Sequence, residues 1–382
     1  MSAPVDLKYN HGSHVRVIRA CQVDDATDLL AVGGDHSIDV LLITAMQCRC
    51  IASFHVGSRI TALAWSSTTV SPSASDDEWS IELAAAGADF GLHLLTKSSS
   101  SEEQIFPFGG GLSGHHGKVT DMTFCGGWGE DSARYVATVS DDKMLMVWDL
   151  HPSIDITSNI PSPTRSLELD DTPSSSRPQP TAYVIPFPHP LTSICSHPST
   201  SKEFLVSDSH GSVYITDWRS DPEDPARSNL RHSSLMELVE PSTLASATMG
   251  RSSQWSGSVA WRADAVDIIG AVYGSKFSVW DVSRLSGGKP LFSGTSFSEG
   301  GHRFRWCQTY PEYFAISTQS PTKGAVVNLH NIEYPQAQPT SFSLYPRPHI
   351  VEDFDFMAMR GVPRIAAAVG RTVDVFAIGM AQ

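Results

Sequence analysis

No stretch of the 382-residue sequence holds the ~18 to 20 uninterrupted apolar residues that a membrane-crossing helix needs. The opening run Met1-Ser2-Ala3-Pro4-Val5-Asp6 has neither the basic region nor the apolar core of a secretory signal peptide. A location in the cytosol or nucleus, with no transmembrane segment, is therefore expected. Basic residues are scarce and never run together: 27 Lys and Arg stand against 41 Asp and Glu, for a net charge of -14. Surfaces for nucleic acid or anionic membrane depend on clustered Lys and Arg, so direct nucleic-acid binding is not expected. The six cysteines are scattered, and Cys48-Arg49-Cys50 has no second Cys or His pair to complete a metal site. They read as reduced thiols, with neither metal nor cofactor implied.

What is abundant points to short strands. Only 18% of residues are charged, 41% are hydrophobic, and 28 Gly and 24 Pro supply frequent turns. The length exceeds that of an average domain, but closed all-β folds reach it as one unit. One domain over residues 1–382 is the expectation.

A degenerate repeat of ~40 to 45 residues, the period of propeller blades, runs through the chain. Its clearest copy opens at Gly114-His115, continues through Val119 to Phe124 and Tyr135 to Asp142, and closes at Met144-Leu145-Met146-Val147-Trp148-Asp149. Flanking copies keep the spacing better than the letters. They place strands at Leu29 to Asp35 and Ile38 to Ile43, at Thr61 to Trp65, Leu83 to Gly87 and Leu92 to Leu95, and at Thr192 to Pro198, Glu203 to Ser207 and Val213 to Asp217. Further copies cover Ser258 to Trp261, Ile268 to Val272 and Phe277 to Asp281, then Arg303 to Trp306, Tyr313 to Ser317 and Val326 to His330. The last covers Phe354 to Ala358, Ile365 to Val369 and Val373 to Ala377. That makes seven units. The seventh ends one strand short, and the alternating Val5 to Tyr9 is placed to supply that strand and close a ring. The segments between units read as loops: Pro152 to Pro180, rich in Pro, Ser and acid, is expected to be disordered, and Ser71 to Asp77, Ser98 to Glu103 and Asp221 to Ser253 are milder versions.

Candidate chemistry is thin. Gly109-Gly110-Gly111-Leu112-Ser113-Gly114 fits a dinucleotide fingerprint in spelling only, since a β-strand follows it where a helix is required. His115, His116, His189, His197 and His210 sit at turns without partners at ligand spacing. The Ser-x-x-Lys matches at Ser199 and Ser320 lack a second catalytic signature. Asp141-Asp142 and Asp76-Asp77-Glu78 read as turn and loop charge. No catalytic residue is assigned and no enzyme is expected.

The unit from Gly114 to Asp149 resembles the WD repeat. The resemblance implies that His115, Thr138, Asp142 and Trp148 share a buried hydrogen-bond network, with Trp280 and Asp281 as a second Trp-Asp ending. A buried carboxylate must be satisfied, His and Thr can donate to it, and an indole N–H can donate to the hydroxyl. The whole then reads as an all-β, seven-bladed WD40-type β-propeller closed by an N-terminal strand. More specific stretches, Ser53 to Thr61 with Ala64-Trp65-Ser66, Val136 to Asp142, Val279 to Arg284, Phe304-Arg305-Trp306 and His330 to Gln336, resemble the small WD-repeat nucleoporin family of the Y-shaped nuclear-pore scaffold. That resemblance implies a non-enzymatic outer-ring subunit at the nuclear envelope. Its implied partners are a large propeller-and-solenoid nucleoporin of the Y complex's short arm and other Y-complex subunits, rather than a second copy of itself. A generic WD-repeat adaptor, such as a ubiquitin-ligase substrate receptor or a histone-binding propeller, is the alternative, and the acidic charge would suit a basic partner.

Overall fold

Each of the seven sheets starts with a short strand whose neighbours in space are the first strands of the sheets before and after it, and this ring of first strands defines the architecture. The computed structural model describes residues 5–151, 181–219, 235–238, 257–285 and 288–379, with the single positions 240, 245 and 249. All seven sheets are four-stranded and antiparallel, and six of them run in simple sequence order. Blade one is Val17–Ala20, Leu29–Gly33, Ser37–Ile43 and Cys48–His55. Blade two is Ile60–Trp65, Ser80–Gly87, Leu92–Ser98 and Ser101–Gly109, and blade three Val119–Phe124, Tyr135–Ser140, Met144–Asp149 and Thr181–Pro186. Blade four is Leu191–Ser196, Glu203–Asp208, Val213–Asp217 and Leu235–Leu238; blade five is Ser258–Trp261, Ile268–Tyr273, Lys276–Asp281 and Phe292–Thr295. Blade six is Phe304–Trp306, Tyr313–Ser317, Ala325–Asn331 and Thr340–Tyr345.

Blade seven closes the ring. Its strands Asp353–Phe356, Arg364–Val369 and Thr372–Ala377 take their fourth from the N-terminal Val5–Asn10, which pairs antiparallel with the last strand from Val5 opposite Phe376 to Asn10 opposite Thr372. The expected seven-bladed propeller with N-terminal closure is the observed fold.

The core lies between blades. Seven apolar clusters each join two neighbouring sheets, as where Phe54 and Leu63 meet between blades one and two, or Phe342 and Phe376 between six and seven. Small residues on the second strands make this packing possible. Any side chain at Gly270 would place its Cβ 2.3 Å from the Phe304 ring of the next blade, so only glycine leaves room for that aromatic.

Two expected loops are strands instead. Only Ser99 and Ser100 turn the chain in blade two, and Ser101–Gly109 is its outer strand, so Ser98 to Glu103 is a hairpin rather than a loop between blades. Leu235–Leu238, inside the expected loop from Asp221 to Ser253, is the outer strand of blade four. Both are mostly exposed, because an outer strand has one free edge and little to bury. Ser71 to Asp77 is a series of turns bracketed by a bridge between Val70 and Ser80. The Pro152 to Pro180 segment lies outside the described residues.

Candidate functional site

The Gly114-His115 turn sets His115 against the second strand of blade three and the turn that follows it. Its Nδ1 lies 2.9 Å from Asp142 Oδ2 and its Nε2 2.8 Å from Thr138 Oγ1. The Trp148 indole N–H donates to the same hydroxyl at 3.0 Å. The backbone N–H groups of His116 and Met144 complete the Asp142 carboxylate at 2.9 and 3.0 Å. The four residues therefore form a chain, Asp142 to His115 to Thr138 to Trp148. Thr138 bonds the imidazole and not the carboxylate, unlike the arrangement in which both donate to Asp142. Burial keeps His115 below its usual pKa against the pull of Asp142. Burial pushes Asp142 up, but the His115 bond and the two backbone donors outweigh it and hold the carboxyl low. A neutral imidazole with Nδ1–H toward Asp142 lets Nε2 accept from the Thr138 hydroxyl, whose oxygen accepts from the indole; the Met146 carbonyl, 3.3 Å from that hydroxyl, is the longer, competing acceptor for the same proton. With each polar atom engaged and Thr138 and His115 buried, this network anchors the blade.

Trp280 and Asp281 do something else. Opposite-strand registers put Trp148 across from Val136 and Trp280 across from Ile269, so Ala271 occupies the place of Thr138. With no hydroxyl there, the Trp280 indole donates to the Gly288 carbonyl at 3.0 Å. Asp281 accepts from Ser283 N and Oγ at 3.0 and 2.6 Å and caps a short turn. The same position is Leu41, Leu95, Thr216, His330 and Phe376 in the remaining blades. His330 stacks on Phe314 with centroids 5.0 Å apart and planes 3° from parallel, and burial lowers its pKa to about 4.

The central channel holds an ion cluster that the sequence reading missed. Alternate residues of the first strands face inward: Arg303 and Arg305 from blade six, Asp353 and Asp355 from blade seven, Arg19 from blade one and Asp121 from blade three. Arg19 Nη2 is 2.8 Å from Asp121 and its Nη1 3.1 Å from Asp353. Arg303 Nε approaches Asp353 at 3.3 Å, and Arg305 Nε approaches Asp355 at 3.8 Å. The carboxylates also staple blades together: Asp121 accepts from Ile194 N at 3.2 Å, Asp353 from Ile18 N and Asp355 from Ala20 N, both at 3.1 Å. Burial raises Asp355 despite Arg305 and Arg19, whereas for Asp121 burial is outweighed by Arg19, Arg303 and Arg305 and its pKa falls. The legible signal was a pair of spaced like charges of opposite sign, Arg-Phe-Arg and Asp-Phe-Asp, opening two consecutive units.

On the outside, blades three and four present aromatic and cationic side chains together. Trp218 packs on Tyr135 and on Tyr183 with centroids 5.0 and 5.3 Å apart, and Arg219 lies over Tyr135 and Trp218 at 5.4 and 5.7 Å. Arg219 pairs with Asp131 at 2.7 Å, and Arg134 forms a two-bond pair with Asp149. Tyr183 is 53% exposed, and Trp128, following the glycines that let this loop approach blade four, is 86% exposed. Trp, Tyr and Arg are the types that dominate binding energy in protein interfaces, which makes this rim the candidate docking surface.

The five turn histidines fall in three places: His115 in its network with His116 exposed beside Asp142, His197 against Trp261, and His189 stacked on His210 with centroids 3.7 Å apart. Among the described residues, no three His, Cys, Asp or Glu side chains are grouped to hold a metal ion.

No family model matches the chain. It is similar to Nucleoporin Nup37 of Mus musculus, 21% identical over 332 residues that cover 85% of this chain and 83% of that protein. The similarity to Nucleoporin Nup37 of Homo sapiens is also 21%, over 333 residues with the same coverage. Among solved structures, Raptor of Chaetomium thermophilum matches with a TM-score of 0.65 and 14% identity over 98% of this chain. That likeness concerns the fold alone, and this chain spans 29% of the Raptor chain.

Proposed function

We propose that this chain is a non-enzymatic scaffold subunit of the outer ring of the nuclear pore, held in the Y complex by a large propeller-and-solenoid nucleoporin. The observation that carries this reading is the similarity to Nup37 along 85% of the chain. It extends through most of the blades and not merely through one repeat. Two further features support it. The blade-three network engages all its polar atoms internally, which suits an anchor, and the channel carboxylates are occupied by arginines and backbone donors. The cluster of exposed Tyr183 and Arg219 on half-buried Trp218 supplies interface chemistry on the rim. Fluorescent tagging of the chain in its own cells tests the location. A punctate signal at the nuclear rim is expected, and a diffuse signal with no rim enrichment would contradict it.

A further inference from the structure

Four cations gather at one mouth of the central channel, in a chain whose net charge is -14. Arg16, Arg59, Lys118 and Arg303 each stand at or just before the start of a first strand. Each is tied by its backbone to the last residue of the second strand of its own blade or to the residue after it. The Arg16 N–H donates to the Gly33 carbonyl at 2.8 Å. The carbonyls of Arg59, Lys118 and Arg303 accept from Ala88, Asp141 and Ser317 at 2.7, 3.1 and 3.1 Å. The shared tie puts all four on the same face of the disc.

Their charges are unequally balanced. Arg16 is paired with Asp35 at 2.9 Å, and Arg303 belongs to the channel cluster, where three arginines meet three aspartates. Arg59 and Lys118 are exposed and have no ion pair among the described residues. Desolvation lowers the Lys118 pKa, followed by Arg303, Arg59 and Arg16, with Asp141 opposing, as expected for an amine in a cationic recess. Beside it, Arg303 Nε and Arg305 Nη2 are buried without a hydrogen-bond acceptor, the Arg303–Asp353 contact being close but poorly aligned. Glu352 of blade seven shares the tie, its N–H donating to the Ala368 carbonyl at 2.9 Å, but it is engaged by His14 at 2.7 Å, so the unpaired Arg59 and Lys118 beside guanidinium donors short of acceptors favour an oxyanion at this mouth.

We propose that this mouth docks an acidic segment of a protein partner, whose Asp or Glu carboxylates lie against Arg59 and Lys118. The proposal rests on charge complementarity and does not depend on which assembly the chain joins. The test uses the full chain and a fluorescein-labelled, Glu-rich peptide, followed by anisotropy at low and at physiological salt. R59E/K118E is compared with R49E/R284E, which changes the net charge equally at exposed positions away from the mouth. The mouth variant is expected to bind at least ~10-fold more weakly, the control within ~2-fold of the unaltered chain, and binding should weaken with salt. Equal weakening by both variants would overturn the proposal, as would absence of peptide binding. Capture of inositol hexakisphosphate but not of the peptide would also overturn it. Matching thermal melts of the two variants exclude misfolding as the cause.

Discussion

Arg19 on blade one reaches Asp121 on blade three at 2.8 Å, past blade two, whose first strand carries the small Ala62 and Ala64 at alternate positions. Its other nitrogen holds Asp353 of blade seven at 3.1 Å, so one side chain ties three sheets across the axis. Removing it leaves two buried carboxylates short of their counter-charge. Arg19→Ala is expected to cost about 3 kcal/mol of unfolding free energy, read as a lower midpoint in a denaturant melt. A change below ~0.5 kcal/mol would mean that the channel carboxylates are satisfied by backbone donors alone.

Trp148 and Trp280 should respond differently in detail. Each is a buried anchor, so truncation to Ala should cost ~3 to 5 kcal/mol at either site. Thr138→Val should add ~1 to 3 kcal/mol of destabilisation by stranding the Trp148 indole and His115. Ala271→Val has no hydroxyl to lose and leaves the Trp280–Gly288 bond in place. Asp142→Ala should cost ~1 to 3 kcal/mol through its unpaired donors. Chemical denaturation of the single variants checks each value.

His330 predicts an acid sensitivity. Its folded pKa, about 4, lies below the ordinary 6.5, so the unfolded chain binds the extra proton first as pH falls. Its contribution is intact above ~6.5 and is lost progressively between pH ~6.5 and ~4, by as much as ~3 kcal/mol. His330→Phe should flatten that part of the stability curve. An unchanged slope between those pH values would contradict the burial argument.

Ring closure is testable at the N-terminus. Val5–Asn10 supplies the outer strand of blade seven, with Leu7 buried against Val375 and its neighbours. Deleting residues 1 to 10 should lower the melting temperature by several degrees, since a ~3 kcal/mol loss is a large fraction of a typical folding free energy. An unaltered melt would mean that the strand adds nothing to closure.

Strands with strong signals were legible in the sequence, and those with weak burial were not. The second strands are buried along most of their length and read as short, largely apolar runs, as in Leu29–Gly33 or Arg364–Val369. Outer strands such as Ser101–Gly109 alternate poorly because much of their surface is wet, so Glu102 and Glu103 read as loop. The Asp142 to Trp148 network could be anticipated, since its members lie within one unit. The channel cluster joins Arg19 to Asp353, 334 residues apart; the Arg-Phe-Arg and Asp-Phe-Asp spacing marks charges on first strands but does not say which of them pair. The replacement of Thr138 by Ala271 in blade five was readable, but its consequence for Trp280 depended on where Gly288 falls.

The most direct test of the scaffold role is affinity purification of the tagged chain from its own cells, with the co-purifying proteins identified by mass spectrometry. Stoichiometric recovery of the large Y-complex nucleoporins is the predicted result. A clean preparation that lacks every pore component and contains a ubiquitin-ligase core or histones would contradict it.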